Sequence, residues 1–365
     1  MDSVGRIGCV NIIRAILTGR IAHFVSAPFI HAGTILEKLD MKRRWILILI
    51  ALIFVLAISI LVSIAVGSTN IPLRTIAKII VDHKRAFLSA EETIILQIRL
   101  PRVLLGILVG MSLSVSGTTM QTLFKNPMAD PYIIGISSGA AFGAVLAMQL
   151  SPTLVPLIAI VCAISTAFIV YNIAKVGEKL PVNTLLLSGI AVGYFLSAIT
   201  SFMIFNSGEG LHQVVFWMMG GLWGANWDRV EIIILPICIG MMILYLFSKD
   251  MNVMLLGEES AEHLGIDVET LKKIMLIISS IITAAAVSMS GIIGFVGLIV
   301  PHIMRIMVGP DHRILLPTSA LAGGILLVLA DTMARTLGEI PVGIITALFG
   351  APFFIYLLRS RKRLY

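Results

Sequence analysis

A chain that strings together apolar runs of near-membrane length has few folds open to it. A helix needs about 20 residues to cross the hydrocarbon core of a bilayer. Runs of that order lie at 45–66, 102–124, 132–150, 154–173, 184–205, 229–248, 272–290, 296–308, 314–331 and 341–358. Lipid offers no partner to a backbone amide, so each run must close its hydrogen bonds internally, as a helix. Composition points the same way. Of the 365 residues 58% are hydrophobic and 13% charged, about half the charged share of a soluble domain and too little to cover a water-facing surface. The expectation is an all-α polytopic membrane protein with about ten transmembrane helices.

The run at 296–308 is too short to cross alone, and the stretch GIIGFVGLIVPH is rich in glycine and carries Pro301. Backbone interruptions at membrane depth survive only where protein or a cavity shields them, so a broken or tilted helix is expected around 291–301.

The net charge of +7 does not indicate a nucleic-acid partner, because the basic residues fall between the apolar runs. Lys42, Arg43 and Arg44 precede the first run, and Arg359, Arg361, Lys362 and Arg363 follow the last. Lys125, Lys175, Lys179, Lys249 and Arg313 occupy loops on the same side. Lysine and arginine accumulate on the cytoplasmic side, which predicts a multi-pass protein of the cell inner (plasma) membrane with both termini cytoplasmic. Segment 67–98, with Arg74, Lys78, Lys84 and Arg85, departs mildly from that rule. Residues 1–40 stand apart as an extension. Either translation starts at Met41, or the extension is an amphipathic helix on the membrane surface. Residues 41–365 read as a single transmembrane domain whose longest inward polar loop is 249–271.

No GxxxxGK[ST] run is present to cradle a nucleotide, and no HExxH, GxSxG or GxGxxG signature occurs. Cys9, Cys162 and Cys238 stand alone. The reading is therefore a chain without catalytic residues, cofactor or metal site. Acids within the runs are scarce, with Asp331, Glu339 and Asp228 at or near ends. An ion-coupled carrier, the rival of a different class, would commonly hold a carboxylate at mid-membrane.

Four groups of residues carry candidate roles. In the loop 249–271, Glu258, Glu259 and Ser260 open a short helix that Gly265 ends; Gly257 suits the preceding turn, and Ser260 or Glu258 could cap it. Asn126, Pro127, Asp130 and Pro131 end the second run and start the third, with Asp130 placed to cap the third helix. Ser112, Ser116 and Thr119 share a helical face, beside Gly110 and Gly117, which permit close backbone approach. Gly193, Ser197, Thr200 and Ser201 form a second mild polar stripe. Such stripes suit a path that must not hold its cargo tightly, or else they bond back to their own helices. Pro301, His302 and Arg305 form a helix-end group; one histidine is too few for a metal.

The stretch IRLPRVLLGILVGMSLSVSGTTMQTLFKNPMADPYIIGISSGAAFGA (98–144) resembles the FecCD family of permeases. So do LLLSGIAVGYF (185–195), VFWMMGGLWGANW (215–227), LLGEESAEHLGI (255–266) and the block at 290–359, in order along the chain. The resemblance implies a type II ABC importer permease fold. It implies a homodimer around a translocation path, two cytoplasmic ATPase subunits and an extracytoplasmic solute-binding protein. The substrate would be a metal chelate, foremost an iron-siderophore, with vitamin B12, haem or molybdate/tungstate as alternatives. By the same resemblance Gly257, Glu258, Glu259, Ala261, Leu264 and Gly265 would seat in the ATPase. The Ser112 and Gly193 stripes would lie near the path. Beyond the resemblance, Asn126, Pro127, Asp130 and Pro131 read either as helix-end structure alone or as a further part in transmitting ATPase movement. Arg99, Arg102 and Arg335, placed at the outer surface by the topology, would face carboxylates of the binding protein.

Overall fold

The apolar runs become helices, and the interruptions between them fall where glycine, proline or a capping side chain ends the helical pattern. A computed structural model describes residues 41–67, 71–72, 74–76, 79, 89–206 and 211–361. The extension 1–40 with Cys9 lies outside these residues, as do Lys78, Lys84 and Arg85. The chain divides into two compact units, Met1–Ala51 and Leu52–Tyr365. Of the first, the described residues form the opening turns of α1.

The helices are α1 (Met41–Ala65), α2 (Ala90–Leu123), α3 (Ile136–Leu150), α4 (Val155–Ala174), α5 (Val182–Phe205), α6 (Leu211–Met218), α7 (Trp227–Leu246), α8 (Ser248–Met254), α9 (Glu258–His263), α10 (Val268–Ser290), α11 (Val296–Val308), α12 (His312–Thr336) and α13 (Val342–Arg361). Seven of them are long and apolar enough to span, and α3, α11 and α13 are shorter apolar helices. These ten coincide with the ten runs read from the sequence. The protein is a multi-pass, all-helical membrane protein.

Helix α2 is the axis of the larger unit. It is buried along nearly its whole length from Leu100 to Leu123 and packs on α7, α10, α11 and α12. Such contact on several sides requires close backbones. A Cβ on Gly117 would lie 1.8 Å from the Gly297 carbonyl oxygen, and one on Gly110 would lie 2.2 Å from that of Gly323. Small residues thus let α2 touch α11 and α12 directly. The entry to α2 contains one π-helical segment, Ile94–Arg99, a wider turn that shifts the side chains beyond it.

The expected break falls between α10 and α11. Residues 291–295 are non-helical, with Gly291 at φ +66° and Phe295 at φ +69°. The 13 residues of α11 rise only about 20 Å. Tyr132 anchors the break, its hydroxyl donating to the Ile293 carbonyl at 3.0 Å.

Two local expectations are corrected. Asp130 caps the 3-10 turn Pro131–Ile134 by accepting from the Tyr132 amide at 2.8 Å, and Gly135 in a left-handed conformation opens α3. Two prolines so close cannot feed a continuous helix, so the chain inserts a turn. Helix α9 has Gly257 at its N-cap and no side-chain cap from Ser260 or Glu258, because both lie inside the first turn.

Candidate functional site

Polar chemistry concentrates at two places on α12. His312 begins the helix and Asp331 lies 19 residues further on, about 28 Å along the axis at 1.5 Å per residue.

At the His312 end, the loop after α8 folds against the start of α10. Glu258 receives Lys272 Nζ at 2.7 Å and Lys125 Nζ at 3.1 Å, and Lys272 also reaches Glu269 at 3.0 Å. The loop after α2, which holds Lys125, is thereby tied to α9 and α10. Burial pushes the Glu258 carboxyl up, but hydrogen bonds and charge from Lys272 and Lys125 outweigh it and hold the group below the usual carboxylate range. Ala261 is fully buried within the chain, so of the predicted seat it cannot offer its own side chain to another protein. Gly265, at φ +85°, has open space around it. What the loop shows outward is apolar: Leu255, Leu256 and Leu264, the last two 68% and 65% exposed, beside exposed Glu259. The sequence reading did not single out Leu255 and Leu256, two adjacent leucines in a loop outside any span.

At the Asp331 end, the three arginines are buried rather than standing on the surface: Arg99, Arg102 and Arg335 are 4%, 7% and 6% exposed. Arg102 grips Asp331 with two nitrogens, at 2.9 to 3.1 Å. Arg335 Nε lies 3.2 Å from the same carboxylate, and its Nη2 donates to the Ser63 carbonyl and hydroxyl. Arg99 donates to the carbonyls of Ile64 and Ala65. The forked guanidinium suits this bidentate geometry. The cluster binds the ends of α1, α2 and α12 to one another.

The serine stripe of α2 faces another helix. Ser112 donates to the Ile282 carbonyl at 2.6 Å, Ser116 to that of Ser279 at 3.1 Å, and Thr283 to Ser116 at 2.9 Å, while Thr119 bonds back to Val115. All are fully buried between α2 and α10. The α5 group divides. Gly193 and Thr200 are buried; Ser197 and Ser201 are exposed beside Tyr194, which is 76% exposed. Pro301 is buried in α11, with His302 and Arg305 partly exposed. Asn126 accepts from the Met128 amide within the loop that also contains Pro127.

A cleft of about 550 Å³ opens among α3, α6, the start of α7 and the end of α10, walled by Phe216, Trp217 and Trp223 with Arg229 at its edge. His212 stacks on Phe216 at 4.6 Å, and Phe216 meets Trp223 at 5.6 Å. The aromatic walls come from the block 215–227; from sequence alone, nothing separated them from core residues.

The architecture, ten apolar helices of which one is a buried axis, with an exposed short helix in one loop, is that of ABC importer permeases. Residues 41–360 match the FecCD transport family, and the chain belongs to that family. It is 52% identical over 278 residues, 75% of each chain, to the cobalamin import system permease protein BtuC of Halobacterium salinarum. It is 39% identical over 337 residues, covering 90% of this chain and 98% of the other, to the Fe(3+)-citrate import system permease protein YfmD of Bacillus subtilis. A structure described as an inward-facing conformation of a metal-chelate type ABC transporter superposes with a TM-score of 0.77 at 33% identity, covering 86% of this chain and 99% of that one.

Proposed function

We propose that two copies of the chain form the translocation path of a plasma-membrane importer for a metal chelate, and that a corrinoid is its substrate. Residues 41–365 act as the transmembrane domain, with 1–40 as an extension. The His312 end faces the cytoplasm, as its lysines and arginines favour, and two separate ATPase chains dock there. A solute-binding protein docks at the opposite end. Arg99, Arg102 and Arg335 serve that docking from beneath the surface, holding the helix ends in register. The half-open face of α5, with Ser197 and Ser201, lines the path.

The observation that carries the importer reading is the outward display of Leu255, Leu256 and Leu264 on a loop outside the bundle. Apolar side chains clustered at an aqueous end mark a protein contact, and Gly257, Glu258 and Gly265 shape the loop that presents them. The corrinoid reading is supported by the 52% identity to a permease named for cobalamin import. An iron chelate is the second reading, supported by the relative named for ferric citrate.

The test is uptake into proteoliposomes holding the chain, its ATPase and its binding protein. ATP-dependent uptake of radiolabelled cyanocobalamin, exceeding that of ferric citrate, haemin and molybdate, is expected. Uptake of ferric citrate alone would replace the corrinoid with iron. Uptake driven by an ion gradient without ATP would overturn the importer reading.

A further inference from the structure

Beyond the loop 249–271 itself, buried and half-buried side chains behind it form a chain of hydrogen bonds that joins three helices. Asn252 lies in α8, three residues before Leu255. Its Oδ1 accepts the backbone N–H of His312 at 2.7 Å. A backbone amide can only donate, so this bond fixes which end of the Asn252 side chain is oxygen. The Nδ2 at the other end donates to Asp311 Oδ1 at 2.7 Å, and Asp311 caps α12 by accepting from the Arg313 amide at 3.0 Å.

The same Oδ1 lies 2.7 Å from His312 Nδ1, which places the ring proton on Nδ1. In the neutral ring Nε2 is then an acceptor. It takes the hydroxyl proton of Thr122, in the last turn of α2, at 2.6 Å. Thr122 has one such proton. Given to His312, it is withdrawn from the Thr118 carbonyl 3.0 Å away. The bonds run Thr122 to His312 to Asn252 to Asp311, linking the inner ends of α2, α12 and α8.

Resting on the importer function proposed above, we propose that Asn252 is a positioning residue that carries displacement of the coupling loop into α12 and, through His312 and Thr122, into the axial helix α2. The Thr122–His312 bond is fully buried and the Asn252 bonds are half-buried; a donor or acceptor parted there finds little water to replace its partner, so bonds this short resist stretching. Displacement of α8 by an ATPase held on Leu255 and Leu256 is therefore passed on to α12 and α2, where a purely apolar contact would slip.

Thr122 separates this role from packing. Thr122→Val keeps the shape and removes the hydroxyl; Thr122→Ser keeps the hydroxyl and removes a methyl. Both variants and Asn252→Ala would be reconstituted with the ATPase and binding protein. ATP hydrolysis and uptake would be measured with whichever of cyanocobalamin, haemin and ferric citrate the wild type takes up. For Thr122→Val and Asn252→Ala, uptake per ATP hydrolysed is expected to fall about tenfold, the scale of one buried hydrogen bond left unmade, while ATPase co-purification holds. Thr122→Ser should stay within about twofold, since its donor survives. A packing role would reverse the order of serine and valine. That reversal, or a wild-type ratio in Thr122→Val, overturns the linkage. Absence of ATP-dependent uptake by the wild type overturns the importer reading itself and this one with it.

Discussion

The two ends of α12 solve the problem of charge in a membrane protein differently. At the Asp331 end, arginines and an aspartate are withdrawn from solvent and share one carboxylate and several backbone carbonyls. At the His312 end Glu258, on the short helix α9, is partly exposed and pairs with half-exposed Lys125 of a loop as well as with buried Lys272 at the start of α10, and a separate set of hydrogen bonds, one of them to the Asp311 carboxylate, lies behind them. A buried charge cannot separate from its partner without a large penalty, whereas exposed pairs are worth little and exchange freely. The first end is suited to staying fixed and the second to moving.

The strongest way to break that contrast is to remove the shared carboxylate. Asp331→Ala leaves Arg102 and Arg335 buried without their counter-charge and should cost about 3–5 kcal/mol, read as a drop in thermal unfolding midpoint in nanodiscs. Asp331→Ala at the wild-type midpoint would mean that the cluster does not hold the helix ends.

A second, intermediate effect concerns pH, and it sharpens the comparison because two acids at the His312 end have opposite signs. Burial raises the Asp311 carboxyl, but hydrogen bonds from Arg313 and Asn252 overcome it and hold the group at about 2. Its contribution is present above the unfolded pKa near 4 and is lost as pH falls toward 2. Asp130 is pushed up to about 6 by burial, partly offset by the Tyr132 amide. It therefore takes stability away as pH rises from about 4 to 6, and the loss is complete above that. Unfolding midpoints across this range should flatten below pH 4 in Asp311→Asn and between pH 4 and 6 in Asp130→Asn. Unchanged profiles would remove both acids from the account.

The smallest effect on stability should come with a large effect on assembly. Leu256→Asp and Leu264→Asp alter exposed side chains and should shift stability by no more than about 0.5 kcal/mol. ATPase co-purification should nonetheless be lost. If it persists, the leucines are not the seat.

The spans were legible because a bilayer converts length and hydrophobicity directly into helices. The break at 291–295 was legible because glycine marks it, whereas Pro301, inside the range expected to be broken, lies within α11. The arginines show where reading stops. Sequence placed Arg102 and Arg335 near one end of their helices, but which way a side chain faces depends on a partner 229 positions away for Arg102. Ser112 and Ser116 fail for a related reason. Their spacing defines a face of α2, and nothing in one dimension says that α10 covers it. For Ala261 in the short helix α9 and Leu264 at its C-cap, the small one packed inward and the large one outward, against the simplest hydrophobic rule.

The separation of Arg102 from Asp331 also sets an order of events during synthesis. A ribosome adding about 5–20 residues per second exposes Arg102 roughly 10–50 seconds before Asp331 emerges. For that interval α2, on which α7, α10, α11 and α12 later pack, enters the membrane with an uncompensated cation at one end. Its neighbours are assembled around an unfinished joint, and α12 closes it near the end of translation. Chains halted before residue 331 should accordingly be cleared by membrane quality control faster than chains halted after Arg335, which pulse-labelling of the two truncations would measure.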